Sequence, residues 1–144
     1  MTNFDVIANE KLIEMHNTPV NLSELPIYKK AIEIFALSQS ISSYLNDDLS
    51  ALKEDGSEDT NIYFSGDIVQ QSISLAPEIA NVERERYSER KHRHLASLRR
   101  LTNMLYKNSY RLEKSNSNGK DFLPVLRREL KKFKKLQHNW MLTL

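Results

Sequence analysis

The chain has 144 residues, a formal net charge of +2, 28% charged residues, three Gly, four Pro and no Cys. That length suits one domain able to bury about two-thirds of the surface its unfolded form exposes, and argues against a second independent core. Without cysteine there is no disulfide, thiolate metal site or cysteine nucleophile, and so few Gly and Pro disfavour a many-stranded sheet, so the expected fold class is all-α.

No stretch approaches the roughly 18 apolar residues of a membrane span, and Met1 to Asn9 carries Asp5 with no basic cluster ahead of an apolar run. A cytoplasmic protein with no membrane contact is the expectation. Residues 1–22 read as an N-terminal extension: Phe4, Ile7, Leu12 and Met15 have rough helical spacing and predict a short extra helix ending near Pro19. Residues 23–144 read as the folded unit. Ser23 is the expected N-cap of a first long helix, Glu24 to Leu52, with Pro26 in its first turn and Ile27, Ala31, Ile34, Ile41 and Leu45 on one face. The acidic, Gly-containing run Lys53 to Asp59 reads as a solvated connection.

A second helix is expected from Asn61 through Asn81, with Ile68, Val69, Ile73, Ala76, Ile79 and Ala80 inward. Pro77 should kink it, because proline lacks a backbone donor and crowds the carbonyl of Ile73. A turn near Arg86 to Ser88 precedes a third helix whose Leu95, Leu98, Leu101, Leu105 and Leu112 share one face. Ser115-Asn116-Ser117-Asn118-Gly119 is the strongest turn in the chain, with Gly119 expected to use positive φ. The last helix is expected from Asp121, with Phe122, Leu126, Leu130, Phe133, Leu136 and Trp140 on one arc. Four long amphipathic segments with short connections predict an antiparallel up-down four-helix bundle preceded by the short extra helix.

The modest net charge hides two opposed fields. Residues 83–144 hold 17 Lys/Arg against 6 Asp/Glu, whereas residues 1–82 hold 4 against 13. Arg86, Arg93, Arg100, Lys107 and Lys114 recur at every seventh position. A helix drifts only about 20° per heptad, so such positions share a face over roughly 42 Å. Arg111 joins this stripe, and Arg127, Arg128, Lys131, Lys132, Lys134 and Lys135 lie opposite the apolar arc of the last helix. Antiparallel neighbours would merge the two rows into one patch whose phosphate contacts release counterions, so these twelve residues are the candidate RNA- or DNA-binding site. They would grip phosphates and shape, since no groove-reading motif or aromatic RNA platform is evident. Tyr110 lies beside the stripe, placed to stack on a base or to pack on an arginine stem.

No catalytic residues are assigned. Glu83, Glu85 and Glu89 lie among arginines with no predicted cleft, and there is no Gly-rich phosphate loop or nucleophile elbow. No metal or cofactor is expected: His92 and His94 point about 200° apart on a helix, and His94 reads as a partly buried, hydrogen-bonded histidine. Glu129, at the edge of the apolar arc, needs a partner.

Three segments carry a family likeness: Leu25-Pro26-Ile27-Tyr28-Lys29-Lys30-Ala31, Ser74-Leu75-Ala76-Pro77-Glu78-Ile79-Ala80-Asn81, and Arg90-Lys91-His92-Arg93-His94-Leu95. On these, Leu25 to Trp140 resembles the small bacterial four-helix-bundle family of proteins encoded in intervening sequences of 23S rRNA genes, which also contains the accessory variability determinant of diversity-generating retroelements. The second segment departs from the family pattern Ser-Ile-Pro-Ala-Asn-Ile-Ala-Glu-Gly: the proline is shifted to Pro77, and Glu78, Asn81 and Val82 replace Asn, Glu and Gly. The resemblance implies a four-helix bundle and, for the accessory type, a basic homopentameric ring that binds a reverse transcriptase and nucleic acid. The expected function is thus non-enzymatic nucleic-acid binding as a homo-oligomer beside a reverse-transcriptase-like partner. The alternative is a protein assembly module whose acidic and basic halves are complementary subunit surfaces.

Overall fold

The computed structural model describes residues 21–115 and 117–144; the expected N-terminal helix and Asn116 of the Ser/Asn turn lie outside the described residues. Every regular element among the described residues is helical: α1 (Pro26–Leu49), α2 (Asn61–Ile73), α3 (Leu75–Arg84), α4 (Lys91–Glu113) and α5 (Leu123–Met141). Single 3₁₀ turns precede α1 and α5. Packing is bundle-like: α1 lies against α2 and α5, and α4 lies against α2, α3 and α5, around one core.

The first long helix begins two residues later than expected, and Ser23 is not its cap. Asn21 caps the preceding 3₁₀ turn by accepting from the Ser23 amide at 3.2 Å, and α1 opens on Pro26 with no side-chain cap. Proline at the first position has no N–H, which removes one of the donors a cap would satisfy. The inner face of α1 is as the spacing predicts, Ile27, Ala31, Ile34, Ile41 and Leu45 all being buried, with Leu49 added at its end.

The expected kink in the second helix is a one-residue interruption at Ser74, three residues ahead of Pro77, with the Ser74 backbone still in the right-handed helical region. Pro77 leaves the Ile73 carbonyl without its helical donor, and the chain releases the strain in the turn before the ring. Ser74 bridges the gap, its hydroxyl donating to the Gln70 carbonyl at 2.9 Å. The buried face runs through the interruption in register, Ser65, Ile68, Ser72, Leu75, Ile79 and Val82 following one another at alternating three- and four-residue steps, and Ile73, expected inward, falls off that face and is 47% exposed. The core between α1, α2 and α4 is partly polar, with the Ser42 and Ser65 hydroxyls 2.8 Å apart and Asn108 donating to Gln71 at 3.1 Å.

The turn into α4 lies where expected, with the Ser88 hydroxyl accepting from the Arg90 amide at 3.1 Å. The Ser/Asn turn works differently from its reading. Asp48 of α1 accepts from the Ser117 hydroxyl at 2.7 Å and from the Asn118 amide at 3.0 Å, and a 3₁₀ turn, Asn118–Phe122, takes the place of the first turn of the last helix. Phe122 is therefore not a core residue; it is 45% exposed and stacks on Tyr44 with ring centroids 5.4 Å apart. Gly119 does not have positive φ, which belongs to Gly56. It is needed for close approach, since a Cβ there would lie 3.1 Å from the Tyr44 Cβ and 3.2 Å from the Leu45 amide nitrogen. Gly119→Ala should cost about 1–3 kcal/mol, because a helix backbone cannot yield as a side chain can, and a lowered midpoint in urea denaturation checks this.

Candidate nucleic-acid interface

Two consecutive helices supply the cations. α4 and α5 each carry six Lys/Arg and one Glu, and each buries a mainly apolar face: Leu95, Leu98, Leu105 and Leu112 on α4, and Leu123, Leu126, Leu130 and Phe133 on α5. Burying an unpaired charge costs far more than a helix can recover from packing, so the cations are confined to the opposite faces and the flanks. Arg93, Arg100, Lys107 and Arg111 are exposed along α4, as is Lys114 at its end, and Arg128, Lys131, Lys132, Lys134 and Lys135 are exposed on α5.

The heptad stripe has four members on this surface, not five. Arg86 lies in the turn before α4, where it pairs with Glu83 at 3.1 Å and donates to the Thr143 carbonyl at 2.7 Å. A heptad repeat describes a continuous helix only, and the helical periodicity is interrupted between Arg84 and Lys91. Arg127 is also turned inward. Its side chain is 13% exposed, 2.6 Å from Glu113, and its guanidinium lies 4.1 Å over the Tyr110 ring. Tyr110 thus packs on arginine. Lys132 shares Glu129 with Lys30, at 3.1 Å and 2.7 Å. Both carboxylates of α4 and α5 are thereby neutralised by neighbouring cations, and among the described residues no carboxylate pairs with Arg93, Arg100, Lys107, Arg111, Lys114, Arg128, Lys131, Lys134 or Lys135.

The seam between the two helices is not flat. Toward the end of α5 it opens into a cleft of about 370 Å³ lined by Arg99, Asn103, Lys134, Gln137 and His138. Toward its start a second cleft, about 250 Å³, is lined by Tyr106, Tyr110, Arg127, Arg128 and Lys131. Lys134 bridges them, its ammonium 4.3 Å from the centre of the Tyr106 ring. Arg99 and His138 were not among the candidates read from the sequence. They sit on helix flanks, and a flank position gains significance only once it is known which helix lies beside it. Arg100 and Lys107, with Met104, line a further hollow of about 290 Å³ on the outer side of α4.

His94 lies 2.8 Å from Glu78 across α3 and α4. Burial pushes the Glu78 carboxyl up, but hydrogen bonds from Ser97, Asn81 and His94 outweigh it and hold it below its ordinary value. His92 is exposed, and the described residues include no group of three or more His, Cys, Asp or Glu side chains placed to hold a metal ion. No helix among them is long and apolar enough to cross a membrane. Comparison with known protein families, with curated proteins and with solved structures finds no match to this chain.

The partner expected for Glu129 is Lys30 of α1. Its hydrogen bond, then that of Lys132, holds the Glu129 carboxyl below its ordinary value of 4.5, and Lys30 is correspondingly raised. A carboxyl lowered by folding adds stability that is present above that ordinary value and is lost as pH falls through the folded one. Glu129→Gln should therefore cost about 1 kcal/mol at pH 7. In urea denaturation the gap from wild type should close progressively below pH 4.5.

Proposed function

We propose that this chain is a non-enzymatic, cytoplasmic protein that binds RNA or DNA through the phosphate backbone, using the outer faces of α4 and α5 and the seam between them. One observation carries the reading: two packed helices carry twelve Lys/Arg, ten of them exposed, and their only two carboxylates are already engaged by cations. A surface so unbalanced raises the local concentration of a polyanion and gains by counterion release on contact. Neither cleft contains a nucleophile paired with a base, or a Gly-rich phosphate loop.

We take the arrangement to be an antiparallel up-down four-helix bundle with α2 and α3 as one broken rod. Three contact series support this. Glu78 meets His94 while Gln71 meets Asn108. Tyr110 meets Arg127 while Tyr106 meets Lys134. Lys30 meets Glu129 while Tyr44 meets Phe122. In each, residue numbers rise along one helix as they fall along its neighbour. A homo-oligomeric ring, pentameric in the family, and a reverse-transcriptase-like partner are proposed on the likeness of Leu25 to Ala31, Ser74 to Asn81 and Arg90 to Leu95 alone.

The second reading is an assembly module whose acidic first half meets the basic second half of another copy. It draws on the exposed carboxylates of the acidic connection and of α1, such as Glu54, Glu58 and Asp47. Changing Arg93, Arg100 and Lys107 together to Glu separates the two. Nucleic-acid binding predicts at least a tenfold loss of affinity for structured RNA or duplex DNA in fluorescence anisotropy, and a salt dependence flatter by roughly 0.9 for each phosphate contact removed. Helicity and oligomeric mass should stay as in the wild type. A mass that collapses while nucleic-acid affinity is unchanged would establish the assembly reading instead.

A further inference from the structure

Three aromatic rings on this surface lie beneath cations. Arg111 of α4 sits 4.2 Å over Phe64 of α2, Lys134 of α5 sits 4.3 Å over Tyr106 of α4, and Arg127 sits 4.1 Å over Tyr110. In every case a cation covers one face of the ring; Phe64 and Tyr106 are half-buried against the core, and Tyr110 is exposed. Arg111 and Lys134 are exposed and have no carboxylate partner among the described residues, whereas Arg127 is spent on Glu113 at 2.6 Å. The three pairs are therefore of two kinds: two rings hold available charges, and one ring is capped by a charge already neutralised.

Resting on the nucleic-acid reading above, we infer that Phe64 and Tyr106 are positioning residues that hold Arg111 and Lys134 at set points for the phosphates of a double helix, and that no aromatic residue here reads bases. A flexible cation loses side-chain freedom when it docks on a phosphate, and a ring beneath it removes part of that loss beforehand. Such fixed charges suit a ligand whose own phosphates have fixed spacing. A duplex meets that condition and keeps its bases stacked on one another, whereas a single strand offers bases that need uncovered rings.

The experiment is a set of double-mutant cycles read by anisotropy on duplex RNA and on a single strand of equal length. Phe64→Leu and Tyr106→Leu should each weaken duplex binding about two- to fivefold, with Tyr106→Phe retaining wild-type affinity. Each ring substitution should cost nothing further once its cation is gone, in Arg111→Gln or Lys134→Gln. Arg111→Gln and Lys134→Gln alone, at exposed side chains, keep the test open should a half-buried ring prove necessary for folding. Each should weaken binding of the duplex more than binding of the single strand. Losses confined to the single strand, in any ring variant, would mean stacking on bases and overturn the inference, as would ring variants that bind duplex like the wild type. A wild-type protein that binds neither ligand would remove the nucleic-acid reading itself.

Discussion

The cost of burying an unpaired charge governs this structure. Leu98, Leu105, Leu112, Leu126, Leu130 and Phe133 are fully buried, and they occupy the faces by which α4 and α5 join the core. Each such side chain contributes about 1.5–3 kcal/mol through removal from water. A lysine or arginine at the same positions would have to be desolvated without compensation. The two helices can therefore pack in one way only, apolar arcs inward, and their cations are forced onto a shared outer surface. The candidate interface is a by-product of the same partition that builds the core.

Where a charge is turned inward, a partner meets it, and these pairs hold the helices in register. Glu83 takes the Arg86 guanidinium at 3.1 Å and the Trp140 indole N–H at 2.6 Å, tying the end of α3 to the end of α5. Lys91, at the start of α4, donates to the Leu144 carbonyl at 3.0 Å. Lys30 fastens α1 to α5 through Glu129, and Glu113 fastens α4 to α5 through Arg127. Such partly buried pairs contribute modestly to stability on balance, since desolvation offsets much of their attraction. Their consequence for function is positional. They fix how far α5 slides along α4, and so which side chains face each other across the seam.

Two departures from regular helix shape the rest. Across the interruption at Ser74 the buried face of α2, Ile68 and Ser72, continues in register into Leu75, Ile79 and Val82 of α3, while α2 places Gln71 against Asn108 and Phe64 under Arg111. At the other end of the seam the close approach of Gly119 to Tyr44 and Leu45, with Asp48 gripping the Ser117 turn, sets where α5 begins. A bulkier residue there would displace the first turn of α5, and with it Arg127 and Arg128.

Apolar periodicity and charge segregation were enough to determine the all-helical class, the inner faces of α1, α4 and α5, the turn at Arg86 to Ser88 and the outward placement of most candidate cations. These follow from each helix alone, because a period near 3.6 sorts apolar from charged residues whatever lies beside it. The need of Glu129 for a partner was likewise legible, as was the packing of Tyr110 on arginine; which cations would answer was not. Only the tertiary structure decided that Arg86 and Arg127 serve internal contacts, that Ile73 and Phe122 stay outside the core, and that Arg99, His138 and Tyr106 join the seam. Those outcomes depend on which flank of a helix meets which neighbour and on where each helix begins. Residues distant in sequence, Lys30 and Glu129 or Phe64 and Arg111, become partners only when the helices pack.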